Sequence, residues 1–441
     1  MMDHETLAVL MGLFFFILLF LGFPVAISLT SAGLVFGYIG FGAGLFDLLP
    51  IRIFGLMENY TLMAIPLFVF LGVMLERSKL AADLLDVIGH AAGPLRGGMG
   101  MAVIVVGVLM GASTGIVGAT VVTLGLLTLP VFVRRGYSKS LACGTICASG
   151  TLGQIIPPSL VLILLADIMG LSLGTLFAAA LVPGLVLAGI FLVYMLAIGL
   201  FFPHMAPAIP EAERNGMSKR ELAKKLVLVV TPPISLIAAV LGSIIGGVAA
   251  PTEAASMGAV GSILLVFLSG RLTKEVLGDT VRSTLRISAM IYFILICSQA
   301  FSLAFRGLHG EDLIADFFAM LPGGMTGGVL FMLGTLFVLG FFLDWIEICY
   351  IVLPLLLPVF PPESVNYVWL SMLVCMNLQT SFLTPPVGWS LFFLKGVAPE
   401  GVTIRDIYLG VLPYVGMQLM VLVMLYFIPE LATWLPKVIG W

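Results

Sequence analysis

Gly150-Thr151-Leu152-Gly153-Gln154-Ile155-Ile156-Pro157-Pro158-Ser159 breaks the segment from Leu141 to Asp167. Consecutive prolines donate no backbone hydrogen bonds and free the carbonyls upstream, so a helix entering this stretch is interrupted. The feature recurs. Asn377-Leu378-Gln379-Thr380-Ser381-Phe382-Leu383-Thr384-Pro385-Pro386-Val387-Gly388 carries the same pair of prolines 228 residues later. At that offset Leu129-Pro130-Val131-Phe132 matches Leu357-Pro358-Val359-Phe360, Cys147 matches Cys375 and Pro94 matches Pro322; Pro24 matches Pro251 at 227. Several anchors at one register indicate two copies of a unit of roughly 200 residues, an arrangement typical of secondary transporters.

Charge orients the copies, because Lys and Arg in short loops collect on the cytoplasmic side of a membrane. In the first copy the stretch Gly97 to Val133 is flanked by Arg77, Lys79 and Arg96 before it and by Arg134, Arg135 and Lys139 after it. Its counterpart, Gly323 to Phe360, is bounded by Glu311, Asp312, Asp316 and Glu363, with no Lys or Arg between Arg306 and Lys395. The first stretch therefore has both ends inside and the second both ends outside, so the copies are inverted. The loop His204 to Lys225 holds Arg214, Lys219, Arg220, Lys224 and Lys225, and a second basic loop holds Arg271, Lys274, Arg282 and Arg286. Five crossings plus one hairpin per copy put every basic cluster inside and both termini in the periplasm. The expected division is a first repeat over 1–203, a cytoplasmic linker over 204–225 and a second repeat over 226–441.

The stretch Gly97 to Val133 is 37 residues long, without a charge or a wet turn at its midpoint, which reads Gly111-Ala112-Ser113-Thr114-Gly115-Ile116-Val117-Gly118. Two arms of about 15 residues make about 22 Å of helix each, short of a hydrocarbon core of about 30 Å. The expectation is a re-entrant hairpin over 97–134, followed by a broken helix over 138–168, with a second hairpin over 322–360 and a second broken helix over 366–395. Irregular backbone at membrane depth survives only inside protein or beside a water-filled cavity, so a buried site is expected at the tips. The hydroxyls of Thr114, Thr151 and Thr384, with the freed carbonyls, are hard oxygen donors suited to an alkali cation, while half-helix N-termini suit a carboxylate.

Intramembrane ionisable groups are functional candidates. Asp344, in Gly340-Phe341-Phe342-Leu343-Asp344-Trp345 with Glu347 close behind, is read as organising the site. Glu253, in Pro251-Thr252-Glu253-Ala254, is read instead as helix N-terminal chemistry.

Composition places the whole chain in lipid: of 441 residues 61% are hydrophobic and 10% charged, against roughly 25% charged in soluble domains. A net charge of −3 with no basic tract argues against nucleic acid. Asp3, His4 and Glu5 precede the first apolar run, without a basic region or cleavage site, so that run is expected to be a retained span rather than a signal peptide. Cys143 and Cys147 have i, i+4 spacing but no nearby His, and are read as packing residues. Neither His-Glu-x-x-His nor a Ser/His or Asp/Asp pair stands out, which argues against an intramembrane enzyme.

Gly-Ala-Ser-Thr-Gly (111 to 115), Gly-Thr-Leu-Gly-Gln-Ile-Ile-Pro-Pro-Ser (150 to 159), Ala-Pro-Thr-Glu-Ala-Ala (250 to 255) and Leu-Thr-Pro-Pro-Val-Gly (383 to 388) resemble, in this order, the large membrane subunit of tripartite ATP-independent periplasmic (TRAP) transporters. The resemblance spans essentially the whole chain. It implies an all-α polytopic inner-membrane protein of inverted repeats, working as an elevator that couples sodium symport to uptake of a small organic acid. C4-dicarboxylates, keto acids and sialic acids are among the cargoes of relatives. It further implies a separate small membrane subunit of four helices and a periplasmic substrate-binding protein. Sodium ions are the coupling ions expected, and no organic cofactor. Residues carried over by motif place one sodium at the tip around Thr114, with backbone near Gly153, Ile156 and Pro158, and a second at the corresponding outer-hairpin elements; Ile116 stands where many relatives carry serine. The candidate sodium-binding residues are thus Ser113, Thr114, Gly115, Thr151, Gly153, Ile156, Pro158, Asp344, Gln379, Thr380, Thr384 and Pro386. Ser113, Ser159, Asp344, Asn377 and Thr384 are the candidate substrate-binding residues. A stand-alone sodium/carboxylate symporter of the same architecture is the alternative reading.

Overall fold

The computed structural model describes residues 3–210 and 218–441, and the side chains of Phe46, Ser113, Thr114 and Lys219 lie outside the described set. Arg214 of the basic linker, and the side-chain roles expected of Ser113 and Thr114, therefore fall outside the described residues. The fold is all-α, as the resemblance implies. Its helices are α1 (His4–Phe20), α2 (Val25–Phe41), α3 (Gly44–Met57), α4 (Ala64–Arg77), α5 (Leu80–Ala92), α6 (Gly98–Thr114), α7 (Val117–Arg134), α8 (Lys139–Thr151), α9 (Leu160–Ile168) and α10 (Leu173–Phe201). They continue as α11 (Lys219–Ile245), α12 (Pro251–Leu268), α13 (Lys274–Gly307), α14 (Gly310–Ala319), α15 (Gly324–Leu339), α16 (Trp345–Val359), α17 (Tyr367–Leu383), α18 (Trp389–Val397), α19 (Ile404–Phe427) and α20 (Glu430–Ile439).

Among the described residues six of these, α7, α10, α11, α12, α13 and α19, are long and apolar enough to cross a membrane. The 29 residues of α10 make about 44 Å of helix, more than the hydrocarbon thickness, which such a helix accommodates by tilting or by extending beyond it. Leu185, Val193 and Leu200 on α10 are exposed, and a lipid-facing surface accounts for them without any cost in water. Helix starts follow local chemistry. Ser218 and Glu221 exchange bonds of 3.0 and 3.2 Å at the head of α11, and Thr403 with Asp406 does the same for α19. Glu253 accepts the Ala250 N–H at 2.9 Å at the head of α12, the capping role its Pro-Thr-Glu context suggests.

The chain divides into two compact units, and each draws on both halves of the sequence. The smaller consists of Met1–Met63 and Leu285–Tyr367, the larger of Ala64–Thr284 and Val368–Trp441. The compact units are therefore not the two sequence copies.

In the smaller unit α2 and α13 approach so closely that a Cβ on Gly33 would lie 2.5 Å from the Ala300 carbonyl carbon. Phe318 packs edge-on against Phe331 and Phe360, at 5.5 and 5.7 Å between ring centres, holding α14 against both arms of the second hairpin. Those arms are α15 and α16, joined through residues 340–344, and α16 contains a π turn at Ile348–Val352.

In the larger unit the first hairpin, α6 with α7, lies against the broken helix formed by α8, a 3₁₀ turn at Leu152–Gln154 and α9. The backbones touch. A Cβ on Gly111 would sit 2.5 Å from Gly153 Cα, and one on Gly107 would sit 2.6 Å from Ser149 Cβ. On the other face, Gly118 and Gly125 of α7 leave room for Phe393 and Leu394 of α18. Where no water can be expelled between apolar helices, close van der Waals packing over small residues supplies the attraction. The sequence puts glycine where these backbones meet.

Candidate functional site at the helix breaks

One helix ends and two begin around one point of the larger unit. Gly115, with φ of 61°, terminates α6 by donating its N–H to the Gly111 carbonyl at 2.9 Å, a left-handed cap that favours glycine. Ile116 is extended, and α7 starts at Val117. The tip thus turns in two residues. A Cβ on Gly115 would lie 3.0 Å from the Leu160 nitrogen, so the tip abuts the first residue of α9. The N-terminal ends of α7 and α9 and the C-terminal end of α6 accordingly meet here. Each N-terminus carries about half a positive charge and each C-terminus about half a negative one, which is a place for an anion beside a cation.

The break itself is held by backbone and side-chain bonds to two of its carbonyls. The Leu152 carbonyl accepts the N–H groups of Ile155 and Ile156 at 3.2 and 3.0 Å. The Gln154 carbonyl accepts the Ser159 hydroxyl at 2.6 Å and the Cys375 thiol at 3.5 Å. Both Pro157-Pro158 and Pro385-Pro386 are cis. Gly153, Ile156 and Pro158 are buried in this turn.

In the second break, Thr380 donates to the Met376 carbonyl at 2.8 Å and Thr384 to the Thr380 carbonyl at 2.7 Å. Pro386 offers its carbonyl to the Tyr408 hydroxyl at 2.7 Å. Thr151 donates to the Ala148 carbonyl at 2.9 Å. The hydroxyl protons of Thr151, Ser159, Thr380 and Thr384 are therefore all spent on backbone carbonyls. Hydroxyls so arranged present oxygen lone pairs, which suit a cation; a carboxylate needs donors. Ser159 and Thr384, expected among the substrate contacts, have acceptor character in this geometry.

The structure brings Thr151 and Gln379 into direct contact, at 3.4 Å between Oγ1 and Nε2. A third group joins them. Gln418 of α19 donates to the same Thr151 oxygen at 3.2 Å. Gln418 is absent from the expected set, although its signal was visible as a lone amide in the apolar run Gly416-Met417-Gln418-Leu419. Asn377 is buried on α17 two residues before Gln379.

Asp344 belongs to the smaller unit. There it caps α16: Asp344 Oδ1 accepts the Trp345 N–H at 2.8 Å, and Glu347 Oε2 accepts the Asp344 N–H at 2.9 Å. Asp344 is half-buried and Glu347 buried. Asp-x-x-Glu at a helix start is a capping signature, so the reading applied to Glu253 was equally available for Asp344. Among the described residues no group of three His, Cys, Asp or Glu could hold a metal ion.

The family model for the DctM component of tripartite ATP-independent periplasmic transporters matches residues 12–431. The chain is 29% identical to the C4-dicarboxylate TRAP transporter large permease protein DctM of Vibrio cholerae, covering 96% of each chain. It is 30% identical to the isethionate TRAP transporter permease protein DctMQ of Oleidesulfovibrio alaskensis, covering 97% of this chain and 66% of that one. Among solved structures, the YdaH transporter of Alcanivorax borkumensis superposes with a TM-score of 0.59 over 89% of this chain and 90% of its own, at 16% identity, a likeness of fold alone.

Proposed function

Because the chain belongs to the DctM-component family of tripartite ATP-independent periplasmic transporters, we propose that it couples inward movement of sodium to uptake of a small organic anion. It is a membrane-embedded permease component and not an enzyme. The observation that carries the sodium reading is the orientation of the hydroxyls at the two breaks. Ser159, Thr380 and Thr384 give their protons to carbonyls and keep oxygen lone pairs for a cation. Thr151 does the same, but its oxygen already receives two glutamine amides, so it is the least available of the four. The meeting of helix N-termini at the Gly115 tip supports a neighbouring carboxylate. A C4-dicarboxylate is the first cargo to test, since a relative of matching length is named for it.

The mechanism we favour is an elevator, built on two inverted repeats over 1–203 and 226–441, with both termini in the periplasm and the chain in the inner membrane. Its partners would be a small four-helix membrane subunit and a periplasmic binding protein. A relative in which a second component is joined to the permease in one chain supports the first of these.

The deciding experiment is uptake of labelled succinate into proteoliposomes holding the large and small subunits, with the binding protein outside. We expect accumulation under an inward sodium gradient and none under potassium or proton gradients alone. Equal uptake under a proton gradient would reject sodium coupling, and full uptake without the binding protein would favour a stand-alone symporter.

A further inference from the structure

Thr151 and Gln379 are 228 residues apart, the offset that relates Pro157-Pro158 to Pro385-Pro386, and each stands six residues before its proline pair. Two side chains related by the repeat register are thus bonded to each other at 3.4 Å. Equivalent residues of two copies can meet only where the copies face one another about their common axis. Gln418 adds a third strand to this junction from α19, and all three side chains are fully buried. The neighbouring Cys375–Gln154 bond ties the same two segments one turn away.

The junction is not saturated. Among the described residues, Oε1 of Gln379, Oε1 of Gln418 and both amide atoms of Gln154 have no hydrogen-bond partner. Unsatisfied polar groups in a dry interior are costly and call for an explanation. A link with spare acceptors can exchange partners when one break shifts, whereas a saturated one resists any shift. The three residues touch both breaks, and the Thr151 oxygen is already occupied.

We propose that Gln418, through its bond to Thr151 and the Thr151–Gln379 contact, is a positioning residue that makes cation occupancy at one helix break depend on occupancy at the other. The inference rests on the sodium reading above and goes beyond it. Gln418 binds no ion itself; it holds the two breaks in a common register.

The test uses the reconstituted complex, reading half-saturating sodium, the Hill coefficient and the maximal uptake rate. Gln418→Met, near-isosteric but without the amide, should raise half-saturating sodium about two- to tenfold, the scale of one hydrogen bond, and lower the Hill coefficient, with the maximal rate per folded protein nearly unchanged. Thr151→Val should likewise raise half-saturating sodium and lower the Hill coefficient, the double variant should be no worse in either than the stronger single one, and Thr151→Ser, which keeps the hydroxyl, should restore the parent values. If the Met variant misfolds, Gln418→Asn, which withdraws the amide by one carbon, reads the same quantities. Parent-like half-saturation and Hill coefficient in the Gln418 variant, or additive effects in the double variant, overturn the proposal while leaving sodium coupling intact. Sodium-independent uptake by the parent protein would remove both.

Discussion

Asp344 shows how one residue can serve a local role and remain a candidate for a second. An acid inside an apolar stretch invites a functional role, yet its carboxylate and that of Glu347 are engaged at the first turn of α16. Asn is as good an N-cap as Asp, and Ala is a poor one, costing about 0.5–2 kcal/mol. Asp344→Ala should therefore lower the melting temperature of the purified protein by a few degrees, whereas Asp344→Asn should leave it in place. The Asn variant isolates the charge. We expect it to reduce succinate uptake while the protein stays folded, in keeping with a carboxylate that organises donors near the second hairpin tip. Undiminished uptake by the Asn variant would leave Asp344 as a helix cap only.

Among the elements, the first hairpin depends on how near its backbone lies to the broken helix. A methyl group on Gly111 has nowhere to go, because Gly153 Cα would be 2.5 Å away and backbone cannot rotate aside. Overpacking of this kind costs about 1–3 kcal/mol. Gly111→Ala should lower thermal stability by that amount and depress uptake, since it parts the Gly115 tip from the α9 N-terminus. Gly189 of α10 is the control, for nothing lies within 4 Å of a Cβ placed there. Gly189→Ala should be neutral or stabilising by up to about 1 kcal/mol, from the better helix propensity. Equal losses from the two substitutions would show that the Gly111 contact has no special weight.

At the scale of the whole molecule, the basic flanks of the first hairpin and the acidic flanks of the second imply opposite sides of the membrane. Cysteines introduced at Gly136 and at Ser364, both exposed, should react with an impermeant maleimide from opposite faces of right-side-out vesicles. Labelling of both from one face would end the inverted arrangement. The partner reading is checked in parallel by tagging the chain and identifying what co-purifies, the expected result being a small membrane protein of four helices.

How much could be read in advance follows from the range over which each interaction acts. The all-α membrane class, the two proline breaks and the family were legible in the sequence alone, because hydrocarbon demands apolar runs, proline lacks an amide proton, and the glycine-rich tip carries its backbone chemistry in its own few residues. The Asp344 cap was equally local, written as Asp-x-x-Glu and missed. The rest was decided at long range. Each compact unit mixes both halves of the chain, and Gln418 reaches Thr151 across 267 residues. Between apolar helices many pairings bury similar surface, and the choice among them falls to a few glycines that admit a neighbouring backbone and to buried amides that must find partners. Those are properties of two surfaces together, so only the tertiary structure determines them.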